Sequence, residues 1–574
     1  MKCSPLFISL LFVFGVMSTS CSNSEFDQVG VVEGFYGDPW SHEERLDVIR
    51  FMGEVGMNTY YYAPKDDPFH RSQWRESYAG KPLSQFSELL KVSTESDVDV
   101  YFAISPGLDI VYSDSADFEA LNAKLQDMIS LGVRHIALFL DDVPETLSNE
   151  KDREEYSDLA EAHVDIINRL WERLKDDEVQ LVVCPTTYTS AWGSREYAEK
   201  LGEGVPAEIP LFWTGEDVAI SEVTRSEAEN WQNLINRKPL LWDNFPVNDF
   251  EVWRPILGPL RGRDGHLPEA MSGILANPMD IPYASMIPLY TVAKYGEDPS
   301  GYDPDEALQK AVIHLAGVEA FPHLMPIVEM YSDYGWTDNL FTAIYTPGKP
   351  LNEELLYQKL DEMEEHLSVL SGAEFSNHPY LSKLVPELTP FVEKTRNDLD
   401  KLLALDRSLV EIRDGFKKEW DGAEVKISRE GDQLNAELKV TKADSRHEWI
   451  LILTEYENPP ETWLQPEDLI VRWKLEQDSA RADHFHLTPF SRRGISDIQV
   501  RTITSFFEHF TKSSDVEIRS QKESDGDASS YKISMPWPDA ERVRFNVFLN
   551  PGNTLAKQPY LGNPHTYPVL VSEN

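Results

Sequence analysis

Cysteine is almost absent. Three of 574 residues are Cys, too few for the disulfide framework of a small secreted scaffold. Positive charge is also short: 53 Lys and Arg stand against 98 Asp and Glu, a net charge of -45. A chain this acidic repels nucleic-acid phosphates and anionic lipid surfaces, so no nucleic-acid partner is expected. The 30 Gly and 37 Pro are scattered, which excludes collagen and low-complexity architectures. Metal-ligand spacing, a phosphate-cradling Gly-rich loop, a nucleophile elbow and internal repeats are all missing. No metal and no cofactor is therefore expected. Beyond the N-terminus no apolar stretch approaches the roughly 20 residues needed to cross a bilayer.

Residues 1–21 are an address. Lys2 gives a short basic start, Leu6 to Met17 is largely apolar, and Ser18, Thr19 and Ser20 precede Cys21. The apolar run is too short for a membrane span and fits a secretory signal. A cysteine directly after small residues resembles the lipobox of bacterial lipoproteins, which implies acylation of Cys21. Export across the inner membrane follows, with a lipid anchor at Cys21 as the one membrane contact, in the periplasm or outer membrane. Cys184, flanked by Leu181, Val182 and Val183, reads as a buried small hydrophobe.

After Gln28 the chain alternates regularly. Apolar runs begin near Gly30, Thr59, Asp99, His135, Leu181, Ile209, Pro239 and Ser272. Their continuous apolar character suits parallel strands covered on both faces. Helical patterns lie between most of them. Ser41-His-Glu-Glu44 fits a capping box, and Leu159, Val164, Ile167, Leu170 and Leu174 form one stripe. Eight such units predict an α/β fold with a (β/α)8 TIM barrel over 29–300; two four-unit domains are the alternative. Residues 301–413 predict a helical domain, with Leu355, Leu360, Met363 and Leu367 as the buried spacing and a Pro-Gly turn at Thr346 to Lys349. From 414 to 574 short alternating runs predict an antiparallel β-sandwich. Its ending, SMPWPDAERVRFNVFLNP, is weakly similar to carbohydrate-binding modules. His484 and His486 share a strand face there, and with no third ligand nearby they read as a surface pair.

Polar residues cluster where the barrel strands end: Gly34, Tyr36, Lys65, Asp66, Asp67, Asp141, Asp142, Tyr188, Thr214, Asp243, Asn244 and Asn277. In a barrel these ends converge on one rim, where active sites lie. A carboxylate pair among amides, an amine and aromatics suits a sugar ring, with the carboxylates serving an oxocarbenium-like transition state. Asp66, Asp67 and Asp243 read as loop-stabilising.

Seven stretches in order carry a resemblance: VVEGFYGDPWSHEER (31–45), MNTYYYAPKDDPFHR (57–71), ALFLDDVP (137–144), CPTTY (184–188), LFWTGEDV (211–218), LLWDNFPVNDFE (240–251) and GPLRGR…GILANPM (258–279). They resemble glycoside hydrolase family 84, the O-GlcNAcase-like β-N-acetylglucosaminidases and related hyaluronidase-type enzymes. The resemblance implies retaining, substrate-assisted cleavage of terminal β-N-acetylglucosamine through an oxazoline-type intermediate, with GlcNAc-bearing glycans or glycoproteins as partners. It implies that Asp141 polarises the acetamido group. Asp142 would be acid and then base, with mutual repulsion keeping one of the pair protonated. It further implies that Tyr188 steadies the acetamido carbonyl, and that Gly34, Lys65, Asp249 and Asn277 meet ring hydroxyls. Asn244 would lie near the acetamido group and Trp242 against its methyl, with Tyr36, Thr214 and Val218 at the periphery; Val218 reads equally as packing. Thr187 stands where relatives often carry Glu. An endo-acting hyaluronidase and a non-catalytic glycan-binding lipoprotein are the alternatives.

Overall fold

The computed structural model describes residues 25–332 apart from 176–178, 192 and 250–253, then residues 352–404, and beyond 410 the backbone of the strands. The expected leader with Cys21 and the expected turn at Thr346 to Lys349 lie outside the described residues.

Eight strands form one parallel sheet: β1 (Gln28–Glu33), β2 (Thr59–Tyr62), β3 (Asp99–Ile104), β4 (His135–Phe139), β5 (Gln180–Cys184), β6 (Phe212–Trp213), β7 (Leu240–Asp243) and β8 (Gly273–Ala276). β1 pairs with both β2 and β8. A parallel bridge between Val183 and Leu211 joins β5 to the β6 side, backed by Val183 N–H donating to Pro210 O at 3.0 Å. All eight apolar runs are strands, and the single barrel displaces the two-domain alternative. β6 is the exception in length: only Phe212 and Trp213 of the 209–215 run form the strand, with Leu211 as an isolated bridge before it.

The apolar runs do not alternate because both faces are covered. Val32, Tyr61, Ala103, Phe139, Cys184, Phe212, Trp242 and Leu275 point into the barrel. Their neighbours Val31, Tyr60, Ile104, Leu138, Val183, Trp213, Leu241 and Ile274 pack outward under the helices. The interior is filled by rings: Tyr61 stacks on Tyr101 at 4.3 Å, and Phe139 meets Trp242 at 5.2 Å. Cys184 is buried and free. At the end where the strands begin, Gln28 accepts from Tyr61 and donates to Tyr101, which donates to Gln180. This polar cluster closes the bottom of the barrel.

Helices cover the sheet: α1 (His42–Val55), α2 (Lys81–Glu95), α3 (Ser115–Leu131), α4 (Glu150–Glu155), α5 (Leu159–Leu174), α6 (Arg195–Gly204), α7 (Arg225–Ile235) and α8 (Pro282–Glu297). The α1 capping box is present at Ser41 and Glu44. On α5 the buried stripe includes Leu159, Ile167, Leu170 and Leu174, while Val164 is only partly buried. The pair Glu33–Arg45 fixes α1 to β1 through two 2.7 Å bonds.

Three further helices span Pro304–Met330, Glu353–Leu370 and Leu381–Ala404. The first and last pack on α8, and the middle one packs on both of them. In Glu353–Leu370 the buried residues are Leu356, Leu360, Met363, Leu367 and Leu370. Leu356 therefore replaces the expected Leu355, because Leu356 keeps the three-and-four spacing that Leu355 breaks. The expectation that no later stretch reaches membrane-spanning length also needs correction. Pro304–Met330 is long and apolar enough by length and composition. It is bent at Gly317 and buries Leu308, Val312 and Leu324.

Beyond 410 the alternating runs are strands. Five pair antiparallel in one sheet; seven form another, antiparallel except where Val569–Val571 meets Glu411–Ile412. His484 and His486 fall on the strand Ser479–His486; their side chains lie outside the described residues.

Candidate active site

The site is a ring of strand ends. Asp141 and Asp142 follow β4. Lys65 follows β2, on a segment that runs to Gly80. Gly34 and Tyr36 follow β1, and Tyr188 follows β5. Asn244 and Asp249 follow β7, and Asn277 follows β8. Thr214 and Val218 follow β6.

Lys65 and Asp141 are both buried and form an ion pair through Lys65 Nζ and Asp141 Oδ2. The same ammonium lies 3.8 Å from Asp142 Oδ2 and over the rings of Trp242 and Tyr36 at 5.6 and 5.8 Å. Burial pulls the Lys65 ammonium down, but Asp141, Tyr36 and Asp142 outweigh it and hold it protonated. Lys65 therefore gives one of its three N–H donors to a carboxylate. Asp141 Oδ1, the other oxygen, is buried with no hydrogen-bond partner.

Asp142 accepts from Tyr36 Oη at 2.6 Å and from Tyr188 Oη at 2.9 Å. Burial alone would raise its carboxyl. Lys65, the two hydroxyls and Arg71 reverse that and hold it below the usual carboxylate range. Asp142 is thus held in its charged form by its neighbours. Its charge is met by donors and cations. Both phenols stay protonated: burial pushes Tyr36 up to about 12, against the pull of Lys65, with Asp142 adding to the rise. Burial and Asp142 push the Tyr188 hydroxyl well above its ordinary value.

The amides hold the wall together. Gly34 N–H donates to Asn277 Oδ1 at 3.2 Å, Asn277 Nδ2 to Asn244 Oδ1 at 2.9 Å, and Asn244 Nδ2 to Val218 O at 2.7 Å. Trp242 Nε1 donates to the same Asn244 oxygen at 3.0 Å. A Cβ at Gly34 would stand 2.3 Å from the Trp242 ring, so only glycine fits there. Thr214 donates to Asp217 O at 3.0 Å. Val218 packs against the interior cluster. Asp249 accepts from Tyr36 N–H at 2.9 Å. Burial, opposed by that bond and aided by Asp280 and Asp142, pushes its carboxyl up to about 6.

The three carboxylates read as loop-stabilising do stabilise loops. Asp67 accepts from Tyr62, Tyr78 and Phe69 N–H. Asp66 accepts from Gly37 N–H. Asp243 takes a two-pronged pair from Arg263 at 2.8 and 2.6 Å. Thr187 Oγ1 accepts from Ser194 N–H at 3.2 Å. The structure thus brings Gly34, Tyr36, Lys65, Asp141, Asp142, Tyr188, Trp242, Asn244, Asp249 and Asn277 into one connected cluster, while Asp67 and Asp243 turn to loop partners. Among the described residues no group of three or more His, Cys, Asp or Glu could hold a metal ion.

Sequence reasoning missed Arg71. Its guanidinium reaches Tyr36 Oη and Asp142 O, each at 3.2 Å. The only signal was its place at the end of MNTYYYAPKDDPFHR, six residues after Lys65.

The sequence profile of the beta-N-acetylglucosaminidase family matches residues 29–329. Protein O-GlcNAcase of Rattus norvegicus is 35% identical over 271 residues, covering 46% of this chain and 29% of the rat protein. The Mus musculus protein matches equally. The chain therefore spans less than a third of the length of these curated relatives. A mutant of the Thermobaculum terrenum O-GlcNAc hydrolase has a similar structure, with a TM-score of 0.58 and 34% identity. That likeness covers 66% of this chain and 83% of the other.

Proposed function

Because the chain belongs to the beta-N-acetylglucosaminidase family, glycoside hydrolase family 84, we propose that it removes terminal β-linked N-acetylglucosamine with retention of configuration. One observation carries this reading. Asp141 has one oxygen neutralised by Lys65 and the other buried and unpartnered, beside Asp142, which is one-third exposed. A buried acceptor with nothing to accept is costly unless a ligand supplies the donor. An acetamido N–H is such a donor.

In this reading Asp141 Oδ1 accepts the N–H of the 2-acetamido group. Its carbonyl oxygen attacks the anomeric carbon as the glycosidic bond breaks. Asp142 gives its proton to the leaving oxygen, and a protonated oxazoline forms, its N–H still held by Asp141 Oδ1. Water then attacks the anomeric carbon, Asp142 takes its proton, and the ring reopens to β-N-acetylglucosamine. Tyr188 steadies the acetamido carbonyl, Trp242 faces the methyl, and Gly34 O, Asp249 and Asn277 meet hydroxyls. Asn244 orients Trp242 and Asn277, and Tyr36, Thr214 and Val218 border the sugar. The hyaluronidase alternative needs surplus positive charge for a polyanion. Lys65 and Arg71 instead face Asp141 and Asp142.

The proposal extends to the rest of the chain: acylation at Cys21, a helical domain over 301–413, and a β-sandwich over 414–574 that binds carbohydrate.

The test is turnover of 4-methylumbelliferyl β-N-acetylglucosaminide by wild type, Asp141→Ala and Asp142→Ala. Wild-type activity with losses of about 10²–10⁴-fold in the variants is expected. No wild-type turnover would overturn the reading and favour the glycan-binding alternative.

A further inference from the structure

We infer that Arg71 is a positioning residue for Asp142: it fixes the backbone carbonyl and the hydroxyl partner that aim this carboxyl, so proton delivery to the leaving oxygen depends on it. The inference rests on the glycosidase reading above for its rate effects.

Arg71 has two prongs at work. Nη2 donates to the Asp142 carbonyl and Nη1 to Tyr36 Oη, each at 3.2 Å. Asp142 has φ +53°, in the left-handed region that a non-glycine residue seldom occupies. The bond to its carbonyl holds that turn. The second prong sets a direction. A guanidinium can only donate, so Arg71 occupies a lone pair of Tyr36. The single Tyr36 proton is left for Asp142 Oδ2, at 2.6 Å. Arg71, Tyr36 and Asp142 thus form a one-way donor chain.

The segment that carries Arg71 is itself pinned on two sides. The His70 ring bonds Ala103 O at 2.8 Å, tying it to β3. Lys124 on α3 donates to Phe69 O at 3.2 Å and to Glu76 O, and sits over the Tyr78 ring at 4.4 Å. The groups facing Asp142 are Lys65, Asp141, Tyr36, Tyr188, Arg71 and, farther off, Asp249. Lys65 bonds to Asp141, which leaves Arg71 as the cation that touches both the backbone and a side-chain partner of Asp142.

The experiment compares full-length wild type, Arg71→Met and Arg71→Lys on 2,4-dinitrophenyl and phenyl β-N-acetylglucosaminides. The first needs little protonation and the second much. In Arg71→Met, kcat/KM on the phenyl glycoside should fall about tenfold or more, while kcat/KM on the dinitrophenyl glycoside stays within about twofold. The alkaline limb of kcat/KM should move up, because a cation near Asp142 is lost. Arg71→Lys should keep the limb but not the phenyl rate, having charge without the fork. Equal losses on both glycosides, or none, would overturn the inference. Should Arg71→Met fail to fold by circular dichroism, Arg71→Gln makes the same comparison. An infrared titration of the Asp142 carboxylate, isolated by difference from Asp142→Asn, decides independently of turnover. Its midpoint should rise without Arg71, and an unmoved midpoint would sink the inference. A wild type inert to both glycosides sinks the glycosidase reading instead.

Discussion

Asp142 faces two demands that oppose each other. As an acid it must hold a proton, yet Lys65, Tyr36, Tyr188 and Arg71 favour its charged form. The structure offers a resolution in solvent contact. The side chain is 33% exposed, and a sugar lying over it would remove that water and raise the carboxyl. kcat/KM reports the free enzyme and kcat the complex. The alkaline limb of kcat is therefore expected at higher pH than that of kcat/KM. Coincident limbs in full pH profiles would mean that substrate leaves Asp142 as it found it. The carboxylate pair was legible because Asp-Asp ends a strand in an ordered series of polar strand ends. Arg71 was not, since an Arg in a long loop reads as solvated until its distance to Asp142 O is seen. Nor were the partners of Lys65 and Asn277, since sequence places residues on the rim without saying which of them bond to each other.

At the level of elements, the parallel strands were readable from length and apolar continuity alone. What holds α8 was not. This helix follows the turn that carries Asn277, and Met279 N–H donates to Ser285 Oγ on it at 3.1 Å. Its N-cap, Ile281, offers no side-chain bond. Glu387 supplies it from the Leu381–Ala404 helix, accepting from Tyr283 N–H at 3.2 Å and Ala284 N–H at 2.7 Å. Tyr380 adds a bond to Tyr283 O at 2.8 Å. A cap some hundred residues away leaves no local motif. Burial, opposed by the two N–H groups and aided by Glu44 and Asp280, pushes the Glu387 carboxyl from 4.5 up to about 8. Between those values the folded chain holds a proton that the unfolded chain has released. Stability from this group is therefore lost as pH rises across that window. Glu387→Gln removes the titration. The Tm of wild type minus that of Glu387→Gln should shrink between about pH 5 and pH 8. A difference that stays level or widens would show that Glu387 does not titrate there.

A chain acylated at Cys21 should sediment with membranes, and Cys21→Ser should move to the soluble fraction with its glycosidase rate intact. Wild type found soluble after export would rule out the anchor. The alternation beyond 414 was readable as strands, and their pairing follows the pattern. The helical packing was readable as a spacing, though off by one residue at Leu356, where strict three-and-four steps from Leu360 select the second of two adjacent leucines.

Nearness of the barrel to an anchor would by itself crowd out large glycoproteins. The polar closure of the barrel bottom changes that expectation. Gln28, which opens β1, belongs to that closure, only seven residues after Cys21. At about 3.3–3.6 Å per residue this leash is no longer than about 25 Å. A lipid at Cys21 would moor the enzyme by its closed end and turn the ring of carboxylates toward open solvent. Bulky glycoproteins would then approach from the side that the bilayer does not occupy.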